Sequence, residues 1–142
     1  METNKTNSYP PFMFLGYHIQ SIDYKRIDNE ELVELRVIVN SKEYNKDKRI
    51  YSLTMSIEID FESNKKNTIT FLGGFEINDE TILKDENLNP VSIFASSLFP
   101  FMRNSLYNIT LDDRESVKLP TLDFRYIDTD FAIVLSKEKN SK

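Results

Sequence analysis

Hydrophobic and polar residues alternate along most of the first half of the chain, with the period of two that is typical of β-strands. The clearest stretch runs from Tyr51 to Phe61. Its apolar face consists of Leu53, Met55, Ile57, Ile59 and Phe61. A strand with one apolar and one polar face belongs to a sheet that is buried on one side, which favours antiparallel pairing.

The same alternation predicts strands before and after this one. It covers Val33 to Val39 on one side and Ile69 to Ile77 on the other, and Gly73-Gly74 within the latter indicates a bulge or a close backbone approach. The earlier stretch from Phe14 to Ile27 changes phase near Gln20-Ser21, where a β-bulge would reconcile its halves. Short polar connectors predict four successive antiparallel strands joined by hairpins.

Spacings of three and four residues follow the fourth predicted strand and indicate a helix with one apolar face. The repeating positions are Val91, Phe94, Leu98, Met102, Leu106 and Ile109. Asn89 suits the helix N-cap and Pro90 the first helical position. Pro100 lies inside the pattern and predicts either a kink or the start of a second, longer section, because its ring clashes with the preceding turn.

These elements predict an α+β fold in which a four-stranded antiparallel sheet is followed by a long helix packed on one face. The chain of 142 residues is expected to form one domain, residues 1–142, with flexible ends at residues 1–11 and 137–142. The segment from Asp130 to Leu135 is apolar and β-branched, and its pattern leaves helix and strand open.

Composition excludes several functional classes. The chain has no Cys and one His, which removes disulfides, thiolate catalysis and poly-His metal sites. Neither of the glycine-rich phosphate-binding motifs is present. A net charge of −5 argues against general nucleic-acid binding. The sequence shows no signal peptide and no run of apolar residues long enough to cross a membrane, so we expect a cytoplasmic chain without membrane insertion.

Candidate catalytic residues are few. His18 has no Ser or Asp partner suggested by any motif, and Asp112-Asp113 and the Asp128/Asp130 pair are more typical of acidic turns than of a metal site. We therefore expect no enzyme activity, no metal and no cofactor. A hot-dog thioesterase, in which a sheet wraps a central helix, remains a minor alternative without a supporting acid–base pair.

The aromatic residues are more informative, because ten Phe occur in a chain that is only 39% hydrophobic. One sheet and one helix could not cover all of them from water, so an exposed apolar surface is expected. We expect groove or interface residues at six positions, with core packing as the alternative at each. These positions are Phe75, Phe94, Phe99, Phe101, Met102 and Phe124.

Four sequence matches in order resemble the SecB protein-export chaperones. Residues 98–103, Leu-Phe-Pro-Phe-Met-Arg, are similar to the start of that family's long helix. Residues 17–22, Tyr-His-Ile-Gln-Ser-Ile, resemble its opening strand, and Gly73-Gly74-Phe75 its Gly-Gly-apolar step. Residues 119–124, Leu-Pro-Thr-Leu-Asp-Phe, resemble the stretch that follows its helix.

The resemblance implies an ATP-independent holdase that binds non-native polypeptides in apolar grooves and assembles as a homodimer or homotetramer. It names SecA, or one dedicated client such as an antitoxin, as a further partner. The chain departs from the classical family in its last residues, which are basic on balance, and in lacking a clear final helix. An adaptor oligomer dedicated to one protein partner is the alternative function.

Overall fold

Four long strands and one helix make up most of the part of the chain that the computed structural model describes, namely residues 10–25, 31–62, 66–84, 90–111, 117 and 132–136. The elements are β1 (Phe12–Asp23), β2 (Leu32–Asn45), β3 (Ile50–Phe61), β4 (Lys66–Ile77), α1 (Pro90–Ile109) and β5 (Ala132–Ser136). A short 3-10 helix, Glu80–Leu83, lies between β4 and α1.

The sheet is antiparallel throughout, and its strand order is β1-β4-β3-β2-β5. The predicted β2–β3 and β3–β4 hairpins are confirmed, but the predicted β1–β2 hairpin is wrong, because β1 pairs with β4. Reaching β2 from β1 means passing β4 and β3, three strand spacings or about 14 Å. The connecting residues 24–31 can span roughly 26 Å when extended, so connector length allowed both arrangements.

Buried Asn67 ties together the end of the sheet at which β1 finishes. The backbone N–H of Lys25, just after β1, donates to Asn67 Oδ1 over 2.6 Å. The Asn67 side-chain amide donates in turn to the carbonyl of Ile59 on β3, at 3.3 Å. One side chain therefore links the exit of β1 to the middle of the sheet, which suits the observed β1–β4 pairing.

Strand β1 contains two irregularities. The predicted bulge near Gln20-Ser21 is confirmed by a register shift between Ile19 and Ser21. A second shift lies between Phe14 and Gly16, where Gly16 has φ +130°. That backbone conformation is one that residues with a Cβ rarely adopt, so glycine makes this second bulge accessible.

Helix α1 begins at Pro90 and ends at Ile109, as the apolar spacing predicts. It continues through Pro100, so the predicted start of a separate helical section at this residue is wrong. Pro100 has no N–H for the carbonyl of Ser96 one turn earlier. In that turn the Ser96 hydroxyl donates to the carbonyl of Ile93 over 2.7 Å.

The core lies between α1 and one face of the sheet. It is formed by the inward-facing residues of β3 and β4 together with Val91, Phe94, Leu98, Met102 and Leu106 of the helix. The outer face of β3 carries Ser52, Thr54, Glu58 and Asp60, which are half-buried. The predicted division into an apolar and a polar face is thus confirmed.

Residues 132–136 pair with β2 as an antiparallel strand, which resolves the open assignment of Asp130 to Leu135 for the described part of that segment. At the other end, Pro11 accepts hydrogen bonds from the N–H groups of Asn78 and Asp79, at 2.8 and 3.0 Å. The N-cap Asn89, Phe124 with the rest of residues 119–124, and residues 137–142 lie outside the described residues.

Candidate functional site

Four of the six predicted site residues lie inside the protein. Phe75, Phe94 and Met102 are fully buried, and Phe99 is 3% exposed. The ring of Phe94 packs 4.5 Å from that of Phe75 and 4.6 Å from that of Tyr51, measured between centroids. These side chains therefore fill the space between helix and sheet within a single chain.

Among the predicted site residues that the structure describes, Phe101 lies at the surface, with 42% of its area exposed. Its ring centroid is 5.2 Å from those of Phe14 and Tyr17 on β1, in tilted arrangements. The Tyr17 hydroxyl lies 3.2 Å from Ser105 Oγ, one turn further along the helix. The second half of α1 is thus fixed against β1 while the ring of Phe101 stays accessible.

Strand β1 also exposes apolar residues. Leu15 and Ile22 are 53% and 52% exposed, and Met13 and Tyr17 are exposed to a lesser degree. Among the described residues β1 has a strand partner on one side only, β4. We use the name β1-edge surface for this feature. It consists of the outer edge of β1 with Met13, Leu15, Tyr17, Ile22 and Phe101.

The backbone of a strand at the edge of a sheet has N–H and C=O groups that can pair with another extended chain. Such an edge is usually protected by charged side chains, proline or β-bulges, and β1 has two bulges, at Leu15 and Gln20. The strand nevertheless exposes four apolar side chains, those of Met13, Leu15, Tyr17 and Ile22, and the ring of Phe101 packs against Phe14 and Tyr17. The β1-edge surface can therefore combine main-chain pairing with burial of apolar side chains.

A pocket of about 570 Å³ lies at the start of the helix, near the β2–β3 turn. It is bounded by the end of β2, the 3-10 helix and the first residues of α1. Tyr51, Leu83, Pro90 and Val91 form its apolar part, and the charged residues around it are Lys42, Glu43, Lys46, Glu80 and Lys84. Tyr44 also lines it and donates a hydrogen bond from its hydroxyl to Glu80 Oε2, at 2.5 Å.

The hydrogen bond from Tyr44 lowers the pKa of Glu80, and the nearby charges of Lys46, Arg49 and Lys84 act in the same direction. The pKa of Tyr44 is raised, chiefly because the phenol is partly desolvated and then because of its contact with Glu80. The side chain of Glu80 therefore stays ionised at neutral pH, and the hydrogen bond and the nearby cations stabilise its negative charge. This pocket was not predicted from the sequence. A signal was available, because Tyr44 and Tyr51 lie on either side of the predicted β2–β3 turn, and the structure pairs them directly across it.

On the outer face of the sheet, charged residues pair with one another. Arg36 donates from Nε and Nη2 to Glu58 Oε1, at 2.9 and 2.6 Å, and contacts Glu34 at 3.3 Å. Lys66 Nζ lies 3.7 Å from the same oxygen of Glu58. The pKa of Arg36 is raised, first by its hydrogen bond to Glu58. The charges of these side chains are paired with one another, and the pairs join neighbouring strands on this face of the sheet.

The described residues contain no group of three or more His, Asp or Glu side chains placed to hold a metal ion. Within the same part of the chain, no helix has the length and apolar character needed to cross a membrane. His18 lies exposed on β1.

The described elements define a class of α+β protein in which one helix covers one face of an antiparallel sheet and an edge strand stays open. No protein-family model matches the sequence, and no curated protein matches it. Among solved structures, the fold is similar to that of the Mycobacterium tuberculosis Rv1957 SecB-like chaperone, in complex with a ChAD peptide from the Rv1956 HigA1 antitoxin.

That similarity has a TM-score of 0.55 at 11% sequence identity, and it covers 79% of this chain and 88% of the other. The protein therefore has a SecB-like fold in a divergent sequence, which confirms the predicted resemblance at the level of the fold.

Proposed function

We propose that this protein is an ATP-independent, cytoplasmic holdase that binds non-native polypeptides at the β1-edge surface. One observation carries the proposal: among the described residues β1 has a strand partner on one side only, it exposes Leu15 and Ile22, and the exposed ring of Phe101 packs against it. The SecB-like fold supports it, because the similar solved structure is a chaperone with a bound peptide. No catalytic step is involved.

An unfolded polypeptide suits such a surface for two reasons. Its extended backbone can add as a strand to β1, which gives affinity without requiring a particular sequence. Its apolar side chains can bury against Phe101, Leu15 and Ile22, at roughly 25 cal/mol for each Å² removed from water before ordering costs are subtracted. Binding of this kind is broad in specificity and needs no nucleotide.

A second candidate function is an adaptor that uses the same surface for self-assembly or for one dedicated partner. The bound peptide in the similar structure comes from an antitoxin, which favours a dedicated partner of that kind. A second copy of this chain could also pair through the edge of β1 and form a homodimer, or a homotetramer of such dimers.

Suppression of aggregation tests the holdase. A chemically denatured model substrate is diluted into buffer with equimolar protein at moderate salt, and light scattering is followed. We expect the wild-type protein to lower the scattering and Phe101→Glu to lose most of that effect, because a charge replaces the exposed ring. Unchanged aggregation in the presence of wild-type protein would refute the holdase.

Tyr107→Glu is the matched control for this experiment. Tyr107 is 40% exposed, close to the 42% of Phe101, and lies roughly 120° further around the same helix. The control should retain suppression. A folded assembly of wild-type protein that binds neither a fluorescent apolar probe nor unfolded peptide would favour the adaptor instead.

A further inference from the structure

The pocket beside the β2–β3 turn is separate from the β1-edge surface. It lies at β2 and β3 and at the first residues of α1, whereas Phe101 and β1 lie across β4 from β3. Its volume of about 570 Å³ is within the range of roughly 300–1,000 Å³ found for pockets that hold ligands. It is therefore large enough to take apolar side chains of a bound segment.

The apolar part of this pocket is built on the protein core. Tyr51 is 6% exposed and its ring packs 4.6 Å from that of buried Phe94. Val91 is 2% exposed, and Leu83 and Pro90 are half-buried beside it. Side chains held in this way need little reordering when a ligand binds, which favours binding of apolar groups.

Among the described residues, three lysines and two glutamates line the pocket, a local excess of one positive charge, whereas the chain as a whole has a net charge of −5. Glu80 accepts the hydrogen bond from Tyr44, and Arg49 lies near enough to both residues to affect their pKa values. A carboxylate on a ligand would therefore meet a locally positive rim.

We infer, on the basis of the proposed function, that this pocket binds client polypeptide segments in which apolar side chains stand next to acidic residues. The apolar side chains enter against Tyr51, Leu83 and Val91, and the carboxylates lie beside Lys46 and Lys84. The substrate class of the holdase thus includes acidic apolar segments. These are segments that the negative charge of the whole chain would disfavour elsewhere on its surface.

Three short labelled peptides test this inference by fluorescence anisotropy. The first combines Leu and Phe with Asp and Glu, the second has Lys at the acidic positions, and the third has Ser at the apolar positions. We expect wild-type protein to bind the first peptide at least about tenfold more tightly than either of the others, because each lacks one of the two kinds of contact. Equal affinity for the first and second peptides, or no binding of the first, would overturn the inference.

Charge reversal locates the binding. The double variant Lys46→Glu/Lys84→Glu should weaken binding of the acidic apolar peptide by about tenfold or more. Lys48→Glu is the matched control, because Lys48 is exposed in the same turn but does not line the pocket. It should change the affinity less than about twofold. Circular dichroism checks that each variant is folded, and Leu83→Ser provides a second test that leaves the charges unchanged.

The aggregation assay run on the same preparations separates this inference from the proposed function. Loss of peptide discrimination with intact suppression of aggregation would refute the acidic apolar specificity alone. Absence of suppression by wild-type protein would refute the holdase. Equal peptide affinities of the wild-type protein and the double variant would place the binding elsewhere and also overturn the inference.

Discussion

Gly73 is a residue at which the helix packs closely on the sheet. A Cβ atom at this position would lie 3.2 Å from both Cδ1 and Cδ2 of Leu98, which is itself fully buried. At the neighbouring Gly74, on the other face of β4, a Cβ would have no atom within 4 Å. The paired glycines of the sequence therefore have different roles, and the close approach predicted for them occurs at Gly73.

Gly73→Ala should lower the free energy of unfolding by about 1 kcal/mol or more relative to Gly74→Ala, because Leu98 has little room to move in the packed core. Gly74→Ala should be neutral or slightly stabilising, since alanine restricts the unfolded chain without a clash. Urea unfolding of the two variants measures the difference. Equal stabilities would show that the core absorbs the extra methyl group.

The hydrogen bond between Tyr44 and Glu80 couples stability to pH. Because the pKa of folded Glu80 is below its ordinary value, the unfolded state binds more protons in acid. The stabilisation is fully present above the ordinary pKa of about 4.3 and is lost as the pH falls through the lower pKa of the folded state. Tyr44→Phe should weaken this dependence but not abolish it, since Lys46, Arg49 and Lys84 remain.

Urea unfolding at a series of pH values between neutrality and the acid limit of folding measures this effect. In a Glu80→Gln background, Tyr44→Phe should no longer alter the pH dependence, which makes the double variant the control. If the stability of the Tyr44→Phe single variant depended on pH as that of the wild-type protein does, the hydrogen bond would not be what lowers the pKa of Glu80.

Among single residues, the sequence could indicate that apolar surface is exposed but not where. Phe94 and Met102 follow the helical spacing and are buried, as that spacing favours. Phe101 is off the apolar stripe and exposed. The exposure of Leu15 depends on a bulge in β1 and on the position of β1 at the sheet edge. Residues 12–15 are all apolar, so local alternation gives no signal at Leu15, and the pairing with distant β4 decides its position.

At the scale of elements, local patterns predicted strands and helix well because their periods of two and near 3.6 are strong. The predicted β1–β2 hairpin is wrong because the prediction rests on connector length alone. Residues 24–31 are long enough either for a hairpin or for the observed crossing over β4 and β3. Strand β5 was ambiguous because five apolar and small residues, Ala132–Ser136, carry too little periodicity to separate helix from strand. The pocket depends on three elements meeting, which no single segment reveals.

Helix α1 contains an exposed proline in its interior, and this should reduce its stability. Pro100→Ala should raise the free energy of unfolding by about 1–3 kcal/mol, because the Ser96 carbonyl regains a backbone donor and the ring clash disappears. Asn104→Ala, at an exposed position one turn later, controls for helix propensity and should contribute about 0.5 kcal/mol. Urea unfolding compares them, and a Pro100→Ala protein no more stable than wild type would contradict this account of the helix.

For the whole molecule, the β1-edge surface predicts self-association in the absence of client. Analytical ultracentrifugation of wild-type protein should show a dimer or larger species, and Leu15→Glu should shift it to monomer, because a charge would be buried at the interface. Leu111→Glu is the matched control, since Leu111 is 55% exposed and Leu15 is 53% exposed. A monomeric wild-type protein, or assembly unaffected by Leu15→Glu, would contradict assembly through β1.

The pairing of β1 with β4 also affects how the chain folds as it is synthesised. β1 is made first, but its partner is made last of the four long strands, with Phe12 paired to Ile77. At roughly 5–20 residues per second, β1 waits on the order of seconds before β4 exists. During that time its Phe, Leu and Tyr side chains have no sheet to join, and closing so distant a contact is slow. A protein that we propose to bind other non-native polypeptides is thus itself made with its first long strand unpaired until β4 has been synthesised.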